Sequence, residues 1–217
     1  MEFNALVARE IEKLKERLLV IGGQVEEALT RAVTAIENLD EAAARRIIEE
    51  DEKIDYAEVE LEEECLKLLA LHQPVAGDLR FIVTVLKVNN DLERIADLAV
   101  NLAENAIFLS GQTRYKCPFD FERMVSVTQT MLKDALDALV EMSTSKAVTV
   151  RQSDDVVDEV NSRMYDIVKE EIRKNPGAAD TLINHMNISR CFERIADLSC
   201  NIAEDVIYLV SGEIVRH

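Results

Sequence analysis

Residues 93–109 of this chain read ERIADLAVNLAENAIFL, and residues 193–209 read ERIADLSCNIAEDVIYL. The two copies align without a gap and are identical at 11 of their 17 positions. A repeat of this quality, spaced at about half of the chain length, indicates that one structural unit is used twice. The residues that both copies keep are therefore the first candidates for whatever chemistry the unit performs.

The composition around this repeat favours long helices. The 217 residues include only 6 Gly and 3 Pro, there is no Trp, and hydrophobic residues make up 48% of the chain. A chain of this length can bury a sizeable core, and its abundant Ala, Leu and Glu are good helix formers. The sequence therefore predicts an all-α protein.

The charge balance is strongly acidic. The formal net charge is −17, from 42 Asp and Glu against 25 Lys and Arg. Such a surface repels nucleic acid and anionic lipid, so cations and basic protein surfaces are the expected partners. The sequence has no apolar run of the ~18 residues that a membrane span needs, and its first residues are charged and amphipathic rather than typical of a signal peptide. We expect a cytoplasmic protein.

Apolar spacing and turn signals divide the chain into six helices. They are predicted at residues 3–39, 41–71, 74–110, 119–142, 146–174 and 176–210. Asp40 and Asn175 are predicted N-caps, and Pro74 and Pro176 are expected in first helical turns. Gly22 followed by another Gly permits either a bend or the close approach of a second helix.

These helices are expected to form two units. Residues 112–118 lack a helical pattern and read as a linker between the halves. The prediction is two tandem pseudo-symmetric three-helix bundles, residues 1–112 and 113–217, each running up, down and up.

The repeated helix has two faces. At about 100° per residue, Glu93, Asp97 and Asn101 fall within about 80° of one another, opposite a wide apolar face. Glu193, Asp197 and Asn201 do the same in the second copy. A plain solvated face explains such a stripe in most acidic helices. Because a solvated face tolerates almost any polar residue, its repetition here favours a functional role.

Acidic pairs at the same spacing occur on the preceding helix of each half. Asp51 and Asp55 lie on one, and Asp154 and Asp158 lie on the other. Asp55 precedes Pro74 by 19 residues, and Glu93 follows it by 19. Antiparallel helices that rise about 1.5 Å per residue would bring these acids to one height.

Four carboxylates at one height repel each other unless a cation lies among them. Oxygen ligands suit Mg, Ca, Mn or Fe, and adventitiously Zn or Ni. The sequence therefore predicts a metal site in each half. The candidate ligands are Asp51, Asp55, Glu93, Asp97 and Asn101 in the first half, and Asp154, Asp158, Glu193, Asp197 and Asn201 in the second.

No catalytic constellation is visible. A carboxylate-bridged di-iron site needs Glu-x-x-His on two helices, and neither His72 nor His185 follows a Glu by three residues. The sequence has no Gly-rich phosphate loop and no Ser/His/Asp or Cys/His arrangement. A non-enzymatic protein is expected.

The halves resemble the PhoU family, the cytoplasmic regulators associated with high-affinity phosphate transport in bacteria. The segments that carry the resemblance are QPVAGDLRFIVTVLKVNNDLERIADLAVNLAENA and INHMNISRCFERIADLSCNIAEDVIYLVSG. The doubled ERIADLxxNxAE pattern is specific, and the resemblance covers essentially the whole chain.

The resemblance implies a six-helix protein with Glu/Asp-x-x-x-Asp motifs that bind metal, here at Asp51/Asp55, Glu93/Asp97, Asp154/Asp158 and Glu193/Asp197. It also implies negative regulation of phosphate uptake and of the phosphate-starvation response. The implied partners are the ATPase subunit of the phosphate ABC transporter, a sensor histidine kinase and a second copy of the chain. Fe, Mn, Zn or Mg are the expected metals. The alternative is a metal-independent helical adaptor whose acidic faces dock on basic surfaces.

Overall fold

The computed structural model describes residues 2–213, with side chains from residue 7 onward; residues 214–217 of the predicted second bundle lie outside this part. The described chain is almost entirely helical. Its elements are α1 (Glu2–Asn38), α2 (Glu41–Glu50), α3 (Glu52–His72), α4 (Ala76–Ser110), α5 (Phe121–Glu141), α6 (Thr144–Lys174), a 3-10 turn (Pro176–Ala178) and α7 (Ala179–Ser211).

The helices form the two predicted bundles. In the first, α1, α2, α3 and α4 pack together; in the second, α5, α6 and α7 do so. The bundles meet where α4 packs along α7 and where α1 touches α5. One continuous apolar core runs through both, and the repeated helices supply its centre with Ile95, Leu102, Ile195 and Ile202, all fully buried. The predicted all-α class with two pseudo-symmetric three-helix bundles is confirmed.

The second predicted helix is interrupted. It consists of α2 and α3, which meet at Asp51. Asp51 keeps right-handed helical dihedral angles, and its carbonyl accepts hydrogen bonds from the amides of Ile54 and Asp55. The break thus changes the hydrogen-bond pattern without turning the chain back. The six-helix layout holds, with one helix divided at a candidate ligand.

Helix starts were predicted with mixed success. Asp40 caps α2 as expected, because its Oδ1 accepts from the amide of Ala43 at 2.9 Å. The assignment of Pro74 to a first turn is wrong, since α4 begins at Ala76. Asn175 occupies the N-cap position of the 3-10 turn, which Pro176 opens, but its side chain makes no capping hydrogen bond. The prediction that Asn175 caps the last long helix is wrong, since α7 begins only at Ala179.

Gly22 marks a close approach between the bundles. An added Cβ at Gly22 would lie 3.0 Å from Cδ2 of Leu136 on α5, whereas the same atom at Gly23 would meet nothing within 4 Å. Gly22 therefore accommodates the neighbouring helix, which is the second of the two predicted roles. Among the described helices, none combines the length and apolar character that crossing a membrane requires.

Candidate functional site

The repeated helices carry their acidic stripes away from the core. On α4, Ile95, Ala96 and Leu98 are buried, whereas Asp97 is exposed and Glu93 is half-buried. The pattern is the same on α7, where the ring of Phe192 is also fully buried. Because the apolar positions fix the rotation of each helix about its axis, the acidic side chains must face outward beside the preceding helix of the same half.

The first half brings its predicted acids together. Burial, and then repulsion by Asp97, Glu58, Asp55 and Asp51, raises the pKa of Glu93. Burial, and then repulsion by Asp55 and Asp97, raises the pKa of Asp51 to about 6. The interruption at the α2–α3 junction and the middle of α4 therefore lie side by side. We call these five residues, Asp51, Asp55, Glu58, Glu93 and Asp97, the first acidic cluster.

Glu58 was not among the predicted ligands. Asn89 on α4 holds it, because the Asn89 Nδ2 donates to the Glu58 backbone oxygen at 3.0 Å and to Oε1 at 3.1 Å. Burial raises the pKa of Glu58, and repulsion by Glu62 and Asp55 adds to the effect. The available signal was its spacing, since a residue three positions after Asp55 lies on the same helical face.

The second half assembles its acids in the same way. Burial, and then repulsion by Asp197 and Asp158, raises the pKa of Glu193. Asp154 and Asp197 both act on the buried thiol of Cys200, whose pKa is raised to about 12 chiefly by burial. Asp154, Asp158, Glu193 and Asp197 therefore share one region between α6 and α7, which we call the second acidic cluster.

The two clusters differ at one equivalent position. Residues 51 and 55 on the first helix correspond to 154 and 158 on the second, so Glu58 corresponds to Asn161. The Ser189 Oγ donates to the Asn161 Oδ1 at 3.0 Å, just as Asn89 donates to Glu58 in the first half. The first cluster therefore has five carboxylates, and the second has four carboxylates and one amide.

Basic residues lie beside the second cluster. Arg194 and Arg190 lower the pKa of Glu193 against the larger effect of burial. Arg151 of α6 forms an ion pair with Glu204 of α7, with Nε 3.3 Å from Oε1. In the first cluster, by contrast, the effects on Glu93 come from burial and from four other acids. The first cluster is therefore the more negative of the two.

Asn101 and Asn201, the two predicted asparagine ligands, have different surroundings from the clustered acids. Asn101 is exposed on α4, and its backbone oxygen accepts from the Asn105 side chain at 2.6 Å. Its side chain also lines a pocket shared with α7, together with Arg194. Asn201 is exposed one turn after Asp197. The acids thus stand together between helices of one half, while Asn101 faces the junction of the halves.

The donor chemistry of both clusters fits a hard cation. Their side chains offer carboxylate and amide oxygens, and the half-buried acids at Asp51, Glu93 and Glu193 repel their neighbours. A bound cation would remove this repulsion, and oxygen ligands suit Mg, Mn and Fe. Within residues 7–213, however, no group of three or more His, Cys, Asp or Glu side chains is arranged to hold a metal ion. Binding would therefore require the exposed acids to change rotamer.

Comparison with known proteins gives a consistent result across the chain. The family model of the PhoU domain matches twice, at residues 18–106 and 121–206. A curated relative from Thermotoga maritima, phosphate-specific transport system accessory protein PhoU homolog 1, is 34% identical over 94% of this chain and 89% of its own length.

Two solved structures have the same fold. The crystal structure of PhoU from Pseudomonas aeruginosa superposes with a TM-score of 0.90 at 35% identity, covering 95% of this chain and 99% of that one. The phosphate transport system regulatory protein PhoU from Streptococcus pneumoniae gives a TM-score of 0.85 at 29% identity, covering 97% of this chain and all of that one. The likeness thus includes both bundles and their relative placement.

Proposed function

This chain belongs to the PhoU family, and from that premise we propose that it restrains a phosphate-specific transport system and phosphate-starvation signalling. The observation that carries the proposal is the match of the PhoU domain to both bundles, at residues 18–106 and 121–206. Relatives aligned over nearly the full chain are named accessory proteins of that transport system. The protein would act without catalysis, by docking on the transport machinery from the cytoplasm.

Its proposed partners are the ATPase subunit of the phosphate ABC transporter, a sensor histidine kinase and a second copy of the chain. A surface with a net charge of −17 favours basic patches on those partners. The long helices present this charge on rigid faces, so docking would require little ordering of the chain.

We further propose that each half binds metal through its acidic cluster. The support is the same in both halves: acids from two neighbouring helices are half-buried and repel each other. Fe, Mn, Zn and Mg are the candidate ions. A bound ion would neutralise the cluster and connect the α2–α3 junction to α4, or α6 to α7. The proposed ligands are Asp51, Asp55, Glu93, Asp97, Asp154, Asp158, Glu193 and Asp197, with Asn101 and Asn201 one turn further along.

A metal-independent adaptor is the second candidate. The observation that favours it is the lack, in the described part of the chain, of three acids already converged on one point. In this alternative the clusters would contact Lys and Arg side chains of a partner directly. The two candidates differ in whether chelation changes partner binding.

The regulatory role is tested in a bacterial strain that lacks its own PhoU-type regulator. Expression of this chain is expected to lower the uptake of labelled phosphate and the activity of a phosphate-starvation reporter. A pull-down of the transporter ATPase, with and without phosphate, tests the contact itself. If uptake and reporter activity stay at the level of the deletion strain despite normal protein abundance, the proposed regulation is wrong.

The metal question is tested in the same pull-down. Retention of the ATPase only in metal-loaded samples supports the metal-dependent regulator. Equal retention in chelated samples supports the adaptor. Light scattering of the purified chain then measures whether a second copy is bound.

A further inference from the structure

A polar pocket of about 480 Å³ lies between the C-terminal half of α4 and the N-terminal half of α7. It is distinct from the spaces between α3 and α4 and between α6 and α7 where the acidic clusters lie. Its walls include three residues from each helix: Asn101, Asn105 and Phe108 of α4, and Asn184, Arg190 and Arg194 of α7.

The pseudo-symmetry of the fold supplies a direct comparison for this pocket, because the N-terminal half of α4 meets the C-terminal half of α7 in the same manner. There, charged side chains of the two helices pair with each other. The Nζ of Lys87 lies 2.6 Å from Oδ1 of Asp205 and 5.8 Å from the ring centre of Tyr208. Asp91 is buried, and its Oδ1 lies 3.6 Å from Nη1 of Arg94. This half of the junction therefore contains its own anions.

The pocket lacks acids at the positions equivalent to Asp91 and Asp205, but it keeps an arginine at the position equivalent to Arg94. Asn187, Cys191 and Asn105 stand where the other half has Lys87, Asp91 and Asp205. Arg194 is retained, so its guanidinium has lost the carboxylate that Arg94 contacts. Both Arg194 and Arg190 are exposed and line the pocket. Among residues 7–213 neither has an ion pair within 4.0 Å, although both lower the pKa of the neighbouring Glu193 from a greater distance.

The balance of charge in the pocket is positive. Arg190 replaces the neutral Asn90 of the other half and adds a second guanidinium. The one acid on the described wall is Glu104. In a chain with a net charge of −17, two guanidinium groups that face an open polar space are a local exception. Guanidinium groups donate several hydrogen bonds in a fixed plane, which suits oxyanions.

Asn184 adds a requirement of its own. Its side chain is 9% exposed, it lines the pocket, and its Oδ1 is buried with no hydrogen-bond partner in the described chain. A buried acceptor without a donor costs about 1–3 kcal/mol. A ligand that fits both features would bring oxygens for the arginines and a hydroxyl for Asn184.

We propose that this pocket binds a small tetrahedral oxyanion that still carries a proton, with hydrogen phosphate as the simplest example. Arg190 and Arg194 would donate to its charged oxygens. The Asn184 Oδ1 is closed to solvent in the present rotamer, so its side chain would turn toward the pocket to accept from the hydroxyl of the anion. At about 30 Å³ for each water in the liquid, a pocket of this size holds such an anion together with bridging waters. The anion would replace the carboxylate that Asp91 supplies in the other half.

Calorimetry of the chelator-treated full chain tests this proposal, because removal of metal excludes phosphate bound through a cation. Inorganic phosphate is titrated at pH 8, with sulfate and methyl phosphate as comparisons. Phosphate retains one hydroxyl at this pH, whereas sulfate has none and a phosphate monoester has lost its second proton near pH 6. We expect saturable phosphate binding, several-fold tighter than that of either comparison anion.

Variants locate the site. Arg190→Gln/Arg194→Gln is expected to lower phosphate affinity at least roughly 10-fold, since each charge-assisted hydrogen bond is worth that much or more. Asn105→Asp/Cys191→Asp, which supplies the two acids that the other half has at Asp205 and Asp91, should also abolish binding, while Arg94→Gln should leave it unchanged. Phosphate binding that is absent in the wild type, or equal in the wild type and the double Gln variant, would overturn the proposal. Preferential binding of methyl phosphate would overturn the role assigned to Asn184.

Discussion

Glu58 and Asn161 occupy equivalent positions in the two halves, but one supplies a carboxylate and the other an amide. Asn89 donates a hydrogen bond to Glu58 in the first half. Ser189, which is equivalent to Asn89, donates a hydrogen bond to Asn161 in the second half. A duplicated fold has thus kept the position of this side chain and changed its charge. The two clusters are therefore expected to differ in affinity for the same cation.

The first prediction is that the metal-free chain binds Mn²⁺ with two affinities, the tighter at the first cluster. Glu58→Gln is expected to weaken the tighter site about 10-fold, since it removes one of five negative charges near the ion. Asn161→Glu should strengthen the weaker site. Isothermal titration measures both, with Glu63→Gln, an exposed acid paired with Lys67, as the control. Two unchanged affinities in the Glu58 variant would show that Glu58 is not a ligand.

The second prediction concerns Asp51, whose carboxyl has its pKa raised from 3.8 to about 6 in the folded chain. Between these values the folded state binds the proton more tightly than the unfolded state does. The free energy of unfolding contributed by Asp51 therefore falls as the pH rises through this window, and the loss is complete above pH 6.

Asp51→Asn is accordingly expected to stabilise the metal-free chain at pH 7.5 and to have little effect at pH 3.5. After solvent screening the gain is of the order of 1 kcal/mol, or about 2–4 °C in Tm. Thermal unfolding in chelator measures it. Added metal should reverse the order, because the wild type gains a ligand that the variant lacks. A lower Tm for the variant in chelator at pH 7.5 would contradict the repulsion described here.

The third prediction uses the adjacent glycines of α1. Gly23→Ala is expected to raise the free energy of unfolding by about 0.5–1 kcal/mol, since Ala favours a helix and the added Cβ meets no atom within 4 Å. Gly22→Ala should gain less, because Leu136 lies 3.0 Å from the new atom and must move. Gly22→Leu should destabilise the chain by crowding the contact between α1 and α5. Urea unfolding ranks the three variants, and an equal gain from both Ala variants would contradict this close approach.

The sequence predicted the helical architecture well because its strongest signals are periodic. Ile95, Leu98 and Leu102 recur at helical spacing, and counting residues on both sides of Pro74 placed Asp55 beside Glu93. Asp55 lies close enough to Glu93 to raise its pKa, although Pro74 belongs to neither helix. The reason is that the turn at residues 73–75 is short and lies about midway between the two acids in the sequence. The equal distance of the two acids from the turn therefore brings them to one height, whether or not the proline is part of a helix.

The missed features are those that depend on packing. The break at Asp51 involves no Gly or Pro, and the residue keeps helical dihedral angles, so local sequence signals could not reveal it. Glu58 lies outside the four-residue motif, and its importance rests on contact with Asn89 from another helix. The pocket beside Arg194 is lined by side chains of both α4 and α7, so it depends on how the two halves pack and not on spacing within one helix.

The most direct test of the proposed metal clusters is elemental analysis of tag-free protein purified without chelator. The four-acid variant removes the repeated motif, and the control variant removes four exposed acids elsewhere. The four-acid variant is Glu93→Ala/Asp97→Ala/Glu193→Ala/Asp197→Ala, and the control is Glu16→Ala/Glu122→Ala/Asp166→Ala/Glu213→Ala. We expect stoichiometric Fe, Mn or Zn in the wild type and the control, and its loss from the four-acid variant. The same trace of metal in all three proteins would contradict the proposed clusters and favour the metal-independent adaptor.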